Sequence, residues 1–326
     1  MRHISLIIYA IFLLTISACS YAPTANLIKE EKVVYEDDID VKAYFCPREN
    51  CTSILENAIN NAKSSLHCAF YDIDSDRIIK AIVKKSRDAD VKIVIDKNNY
   101  QNQIRGLGIR IADSKQYMHN KFCIIDNKIV LTGSTNPTNN DLTLNNNNIV
   151  VIASRYIAEN YEDEFNELWN GILAAGNNVK YDKINSNDVL LENYFCPEDD
   201  CKRKVIEALK NAKQSIYFMT FSFTDEDIAD AALMSDLDIK GVFETMQAGS
   251  QYSQFQRLKD FNIDVKKDKN KKNMHHKVFI IDNETIITGS YNPTGSGNYR
   301  NDENLIVIRN KDIAKGFVEE FELLRQ

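Results

Sequence analysis

Several features that would each announce a function are scarce or missing. Among 326 residues there are 11 glycines and 5 prolines, so collagen-like sequence is excluded. Neither a P-loop nor a G-x-G-x-x-G run is present to cradle a nucleotide. Histidine is limited to 5 residues, and no other ligand cluster with metal spacing accompanies the cysteines, so neither a metal nor another cofactor is expected. Basic charge is not in surplus: 40 Lys and Arg against 47 Asp and Glu leave −7. That balance counts against a surface devoted to nucleic acid. The opening apolar run, Ile4 to Ile16, is too short to cross a bilayer comfortably. What the chain does have is 44% apolar residues and 27% charged ones, a globular composition with room for about two domains.

Arg2, the run from Ile4 to Ile16, and Ser17-Ala18-Cys19 stand in the order of a secretory signal. Ile16-Ser17-Ala18-Cys19 resembles the lipobox of bacterial lipoproteins. That resemblance implies removal of residues 1–18, lipidation of Cys19, and an exported, membrane-anchored protein. Residues 19–37 show no clear periodicity and are read as a tether. Of the six other cysteines, Cys46 with Cys51 and Cys196 with Cys201 form two C-x4-C pairs. In an exported protein each pair is expected to be a short-loop disulfide, with a four-thiolate zinc site as the rival. Cys68 and Cys123 lie in apolar strand-like runs and are read as buried free thiols.

The chain is a duplication. Tyr44-Phe45-Cys46-Pro47 returns as Tyr194-Phe195-Cys196-Pro197, and Asn61-Ala62-Lys63 as Asn211-Ala212-Lys213, both at an offset of 150. Met118-His119-x-Lys121 returns as Met274-His275-x-Lys277 at an offset of 156, which holds to the end of the chain. The copies run over residues 38–185 and 186–326. In the first, helical spacing over Ile54 to Ala62 precedes a strand-like Ser65 to Tyr71. Helical Arg77 to Ser86 precedes the strand Val91 to Ile95. Lys121 to Ile125 and Ile129 to Leu131 flank the turn Asp126-Asn127-Lys128, followed by a strand from Asn148 and a helix from Ile157 to Leu168. This alternation predicts an α/β fold with helices covering mixed sheets.

Two segments align without gaps, HNKFCIIDNKIVLTGSTNPT from His119 and HHKVFIIDNETIITGSYNPT from His275. Both read H-x-K-x4-D followed by G-S-x-N. With so few histidines, chance supplies roughly 0.04 such H-x-K-x4-D matches per chain, so one motif is already informative. Strand alternation puts His119 and Lys121 on one face, and likewise His275 and Lys277, while His276 points away and is read as a packed or solvated bystander. His67, without this context, is read as an ordinary core histidine. A neutral imidazole can attack and a protonated one can donate, so two histidines divide nucleophilic and acid–base work. Two lysines and two asparagines supply charge stabilisation around a phosphate. Asp126 and Asp282, at the turn, are read as turn-fixing hydrogen-bond acceptors.

The duplicated motif resembles the phospholipase D superfamily and covers nearly the whole mature chain. The resemblance implies two α-β-α sandwich repeats about a pseudo-twofold axis, with one active site built from both motifs. It groups His119, Lys121, Asp126, His275, Lys277 and Asp282 as the catalytic set. Asn136 and Asn292 would hold phosphate oxygens, with Ser134 and Ser290 as further donors. A phosphohistidine intermediate is implied, with no metal, and His119 is taken as the nucleophile. Where relatives carry Glu after G-S-x-N to steady a histidine, this chain has Glu303 in the second copy and Asn147 in the first. An amide orients an imidazole but stabilises its charge less well. The lone Glu303 could instead make His275 the stronger base.

The substrate expected is a phospholipid, hydrolysed or transferred to an alcohol as in cardiolipin synthases. The rival is a nuclease, since each copy resembles the compact nucleases of the superfamily; a non-catalytic binding module is a remote alternative. One chain supplies both motifs, so a monomer suffices. The lysine run from Lys266 to Lys272, just before His275, raises the chance of attracting anionic headgroups or nucleic acid. The Asn-rich stretch Asn139 to Asn148 is read as a flexible rim. Phe218 to Phe223 is read as core strand.

Overall fold

A computed structural model describes residues 32–104, 108–234 and 236–326; the signal sequence and Cys19 lie outside them. The first half runs β1 (Val33–Tyr35), β2 (Asp40–Cys46), α1 (Cys51–Asn61), β3 (Ser65–Phe70), α2 (Asp76–Lys85), β4 (Asp90–Asp96), β5 (Gly108–Ala112), β6 (Lys121–Ile125), β7 (Ile129–Gly133), α3 (Asn139–Thr143), β8 (Asn147–Ala153) and α4 (Arg155–Asn170). The second repeats this order with one added helix, α7: β9 (Lys183–Asn185), β10 (Leu190–Cys196), α5 (Cys201–Lys210), β11 (Ser215–Thr220), α6 (Glu226–Leu233), β12 (Asp238–Phe243), α7 (Phe255–Asp260), β13 (Asp264–Lys267), β14 (Lys277–Ile281), β15 (Thr285–Gly289), α8 (Gly295–Tyr299), β16 (Glu303–Arg309) and α9 (Lys311–Arg325).

Each half builds its own mixed sheet, β2-β8-β7-β6-β3-β4-β5 and β10-β16-β15-β14-β11-β12-β13. The second sheet is extended by β9 and then β1, which pair in parallel. Val33 to Tyr35 thus departs from the tether reading: these residues form an edge strand of the opposite sheet. Helices α4 and α9 lie between the sheets. α4 packs on β3, β6 and β7 and also on β10; α9 packs on β11, β14 and β15 and also on β2. Their apolar faces, with Tyr161 and Phe165 on one and Phe317 and Phe321 on the other, are fully buried. Burying side chains of this size contributes roughly 1.5–3 kcal/mol each, and the cluster they join draws on both halves, while a second cluster beneath α1 and α2 belongs to the first half alone.

Local chemistry explains matching boundaries in the two copies. The caps are paired: Asn50 accepts from the Ser53 N–H and Asp200 from that of Arg203; Ser154 accepts from Ile157 and Asn310 from Ile313. Each satisfies a donor the first helical turn leaves open. Both hairpin turns hold two residues at positive φ, Asp126-Asn127 at 54° and 50° and Asp282-Asn283 at 54° and 55°, as a two-residue connection with the right twist requires. Gly133 and Gly289, at φ 131° and 141°, end β7 and β15. A Cβ there would lie 2.4 Å from the Asn148 carbonyl oxygen or 2.3 Å from that of Asn304. Only glycine fits, and the approach delivers the following Ser and Asn to the interface.

The cysteines are all paired among the described residues: Cys46–Cys51, Cys196–Cys201 and Cys68–Cys123. The third bridge corrects the free-thiol reading. Cys68 and Cys123 face one another directly across antiparallel β3 and β6, with Cα atoms 4.1 Å apart. Register creates that proximity, and neither strand announces it alone. The Asn-rich stretch is also not a flexible rim. It forms α3 and the start of β8, with Asn145, Asn147 and Asn148 buried. In the lysine run, Lys266 and Lys269 donate to the backbone carbonyls of Arg325 and Gln326 at the end of α9, where a helix carries partial negative charge.

Candidate active site

Each histidine precedes the strand named for its lysine and is held by the opposite half. Met118 bridges to Asp302 and Asn146 to Met274; the two bridges exchange under the 156-residue offset. The His119 N–H donates to the Asp302 carbonyl at 2.9 Å, and the His275 N–H to the Asn146 carbonyl at 2.8 Å. Deeper, Thr132 Oγ1 donates to Asn304 Oδ1 at 2.7 Å and Thr288 Oγ1 to Asn148 Oδ1 at 3.0 Å. Such reciprocity is the mark of a twofold interface. His276 belongs to it, fully buried with Asn148 Nδ2 donating to its Nδ1 at 3.1 Å. It is a packed residue between the halves. His67 pairs through Nδ1 with Glu162 of α4 at 2.9 Å and stacks on Phe165 of the same helix.

The histidines' Nδ1 partners also cross the interface. His119 Nδ1 meets Glu303 Oε2 at 2.7 Å, and His275 Nδ1 meets Asn147 Oδ1 at 3.0 Å. This overturns the thought that Glu303 makes His275 the stronger base, because the carboxylate serves the other half's ring. With Nδ1 donating, the lone pair of each neutral ring sits on Nε2. Burial pushes His119 down to about 4, opposed by Glu303 and reinforced by Lys121 and Lys277. Burial, then Lys277, pushes His275 down to about 4, opposed by Asp141. Lys121 falls to about 8 through burial, and Lys277 falls well below its ordinary value through burial and the charge of Lys121. Both ammonium groups donate to the carbonyl of the histidine two residues earlier, at 2.7 Å. Four buried, mutually coupled groups that disfavour positive charge favour an anion beside them.

The remaining motif residues divide. Asn136 and Asn292 follow β7 and β15, and the side-chain carbonyl oxygen of each is buried without a hydrogen-bond partner. Ser134 and Ser290 are buried with their hydroxyls already committed, to Asn147 Oδ1 at 3.1 Å and to Glu303 Oε2 at 2.7 Å. They brace the groups that orient histidine and are not positioned as phosphate donors. Asp126 and Asp282 stand outside the site. At the far ends of β6 and β14, about 20 Å along the strand from the histidines, each accepts three consecutive backbone N–H groups: Lys63 to Ser65 and Lys213 to Ser215. They fasten the hairpin, as the turn reading expected, and leave the catalytic grouping.

Three neighbours were not singled out from sequence. Tyr71 packs edge-on to His119 and Phe221 edge-on to His275, each with ring centroids 4.8 Å apart. They are equivalent at the 150 offset, a signal the repeat alignment carried. The third is Asp141, whose Oδ2 lies 3.4 Å from His275 Nδ1. Outside the site, Glu164, Glu167 and Glu198 hold carboxylate oxygens within 4.8 Å of one another, close enough to share an ion. Their equivalents differ: Glu320 pairs with Arg48 at 3.4 Å, where the second half opposes Glu164 with Glu198.

Two copies of one α/β unit, presenting two histidines, two lysines and two asparagines across a pseudo-twofold interface, define a paired-histidine phosphodiester enzyme. The chain belongs to the family described as cardiolipin synthase, PLD-like domain, which it matches twice, at residues 55–169 and 205–325. It is similar to phospholipase D of Rickettsia felis, 28% identical over 163 residues, 48% of this chain and 82% of that protein. The Rickettsia typhi phospholipase D is 30% identical over 38% of this chain and 63% of its own, so the match spans less than two thirds of that relative. Mitochondrial cardiolipin hydrolase of Xenopus laevis is 31% identical over 40% and 67%. Phosphatidylserine synthase of Haemophilus influenzae shares the fold, with TM-score 0.65 over 86% of this chain and 85% of its own at 11% identity. The protein is thus a phosphodiesterase of the phospholipase D type.

Proposed function

We propose that the protein hydrolyses phospholipids through a phosphohistidine, with His119 as nucleophile and His275 as acid and base. The carrying observation is the engaged Nδ1 of each ring, which leaves Nε2 as the reactive nitrogen. His119 Nε2 attacks phosphorus and the bond to the leaving alcohol oxygen breaks, while protonated His275 gives that oxygen its proton. Neutral His275 then takes a proton from water, whose oxygen displaces His119 and restores the free ring. Lys121 and Lys277, with Asn136 and Asn292, stabilise the charge on the non-bridging oxygens. The direct Glu303 carboxylate raises the basicity of His119 and supports its assignment as nucleophile.

The phospholipid choice is supported by relatives named phospholipase D and cardiolipin hydrolase. The lipobox-like start and three disulfides support an exported, membrane-anchored location. One assay panel tests the reading. The purified chain and its His119→Ala variant are offered phosphatidylcholine, phosphatidylglycerol, cardiolipin, DNA and RNA, with and without an alcohol acceptor. Release of phosphatidic acid by the wild type alone is expected; cleavage of nucleic acid alone would sink the lipid reading. Acid lability with alkaline stability of the trapped label identifies a phosphohistidine, peptide mapping assigns the nucleophile, and label on His275 would reverse it.

A further inference from the structure

The carboxylate that attends the histidine has changed place between the two halves. Position 303 is Glu, whereas its equivalent 147 is Asn; position 141 is Asp, whereas its equivalent 297 is Gly. The surroundings follow the exchange. Asn145 Nδ2 donates to Asp141 Oδ1 at 2.6 Å, and its equivalent Asn301 donates through Nδ2 to Glu303 Oε1 at 3.2 Å. The same asparagine therefore supports a carboxylate in each half, although that carboxylate belongs to a different residue. Asp141 is buried in α3 and also accepts from the Asn136 backbone N–H at 2.9 Å and from its Nδ2 at 2.7 Å. In the second half the space is closed: a Cβ on Gly297 would lie 2.2 Å from the Asn292 carbonyl oxygen.

We propose that Asp141 is the positioning residue of His275, the relocated counterpart of Glu303, so that each ring keeps one buried carboxylate beside Nδ1. The proposal deepens the two-histidine reading of the site and rests on it for its catalytic meaning. Asn147 sets the ring's orientation at 3.0 Å, and Asp141 at 3.4 Å supplies the negative charge. The same carboxylate ties down Asn136, so one buried group holds both the ring that must carry a proton and the asparagine of the G-S-x-N segment. The other groups facing His275 are Lys277 from its own strand, Lys121 from β6 and the ring of Phe221. Both lysines oppose protonation, so Asp141 is the carboxylate set against them.

The test is nitrogen-15 NMR of histidine-labelled full-length protein, which needs no substrate. At the pH where the wild-type His275 ring is half protonated, Asp141→Asn is expected to leave it more than about nine-tenths neutral, a fall of at least about one pH unit. His119, whose Nδ1 partner is Glu303, serves as internal control and keeps its titration. The double variant Asp141→Gly with Asn147→Glu, which copies the second half, is expected to return His275 to within about half a pH unit of wild type. An unchanged His275 in Asp141→Asn overturns the proposal. If that variant disturbs His119, the double variant decides alone, and a lowered His275 value there overturns it. In a lipid assay, the alkaline limb of the kcat profile of Asp141→Asn, where His275 must stay protonated to donate, moves to lower pH with KM unchanged, and the double variant recovers. Loss of all lipid activity in the wild type would instead defeat the functional reading, with the titration still readable.

Discussion

Glu198 offers the sharpest stability test, because the molecule contains its own control. In the first half the pseudo-equivalent residue, Arg48, pairs with buried Glu320 at 3.4 Å. In the second, Glu198 faces Glu164, and burial pushes Glu198 up to about 7 and Glu164 well above its ordinary value. A raised carboxyl pKa means that the folded chain holds a proton the unfolded chain has lost. Stability is therefore fully present below about 4.5 and declines as pH rises towards 7. Two and a half pH units at about 1.4 kcal/mol each set a ceiling of about 3.5 kcal/mol for Glu198. Glu198 is partly exposed and the pair can share one proton, which reduces the expected cost to about 1–2 kcal/mol. Glu198→Gln should be neutral at pH 5 and stabilising by that amount at pH 8. Glu198→Arg, which restores the first half's pairing, should do at least as well. Urea unfolding followed by circular dichroism at the two pH values, with disulfides intact and m unchanged, measures both. If Glu198→Gln loses stability at pH 8, or gains equally at both pH values, the reasoning fails.

Other perturbations separate chemistry from scaffold. Glu303→Gln should lower kcat about 100-fold or more at unchanged thermal midpoint, since it removes the charge beside His119 while keeping a hydrogen-bonding shape; an unaltered kcat would refute that role. Asp126→Ala should cost about 1–2 kcal/mol through three lost backbone bonds yet leave kcat per folded molecule within about twofold. Because those bonds hold its carboxyl down at about 2, its contribution should be present above the ordinary carboxylate range and disappear as pH falls towards 2, a loss acid unfolding would register. Replacing Cys68 and Cys123 together with alanine should lower the unfolding free energy by about 2–4 kcal/mol, and added reductant should then change the double variant less than the wild type.

Much of this protein is written locally. The duplication, the paired caps, the hairpin turns and the H-x-K and G-S-x-N segments are contiguous patterns, and each follows from chain geometry over a few residues. The turn-fixing part of Asp126 and Asp282 was legible for the same reason, since an aspartate at a tight turn meets nearby backbone donors. What tertiary structure decided was every relation between segments. Cys68 meets Cys123 only through strand register. Ser134 and Ser290 turn out to be braces because their hydroxyls find residues 147 and 303, thirteen positions away in each case. Glu303 serves His119 and not its own half's histidine, because the pseudo-twofold carries each supporting group across the interface. Sequence by itself determined which chemical groups the site has. Only the packing of two similar halves determined which group acts on which, since a side chain's partner depends on distances through space that spacing along the chain does not encode.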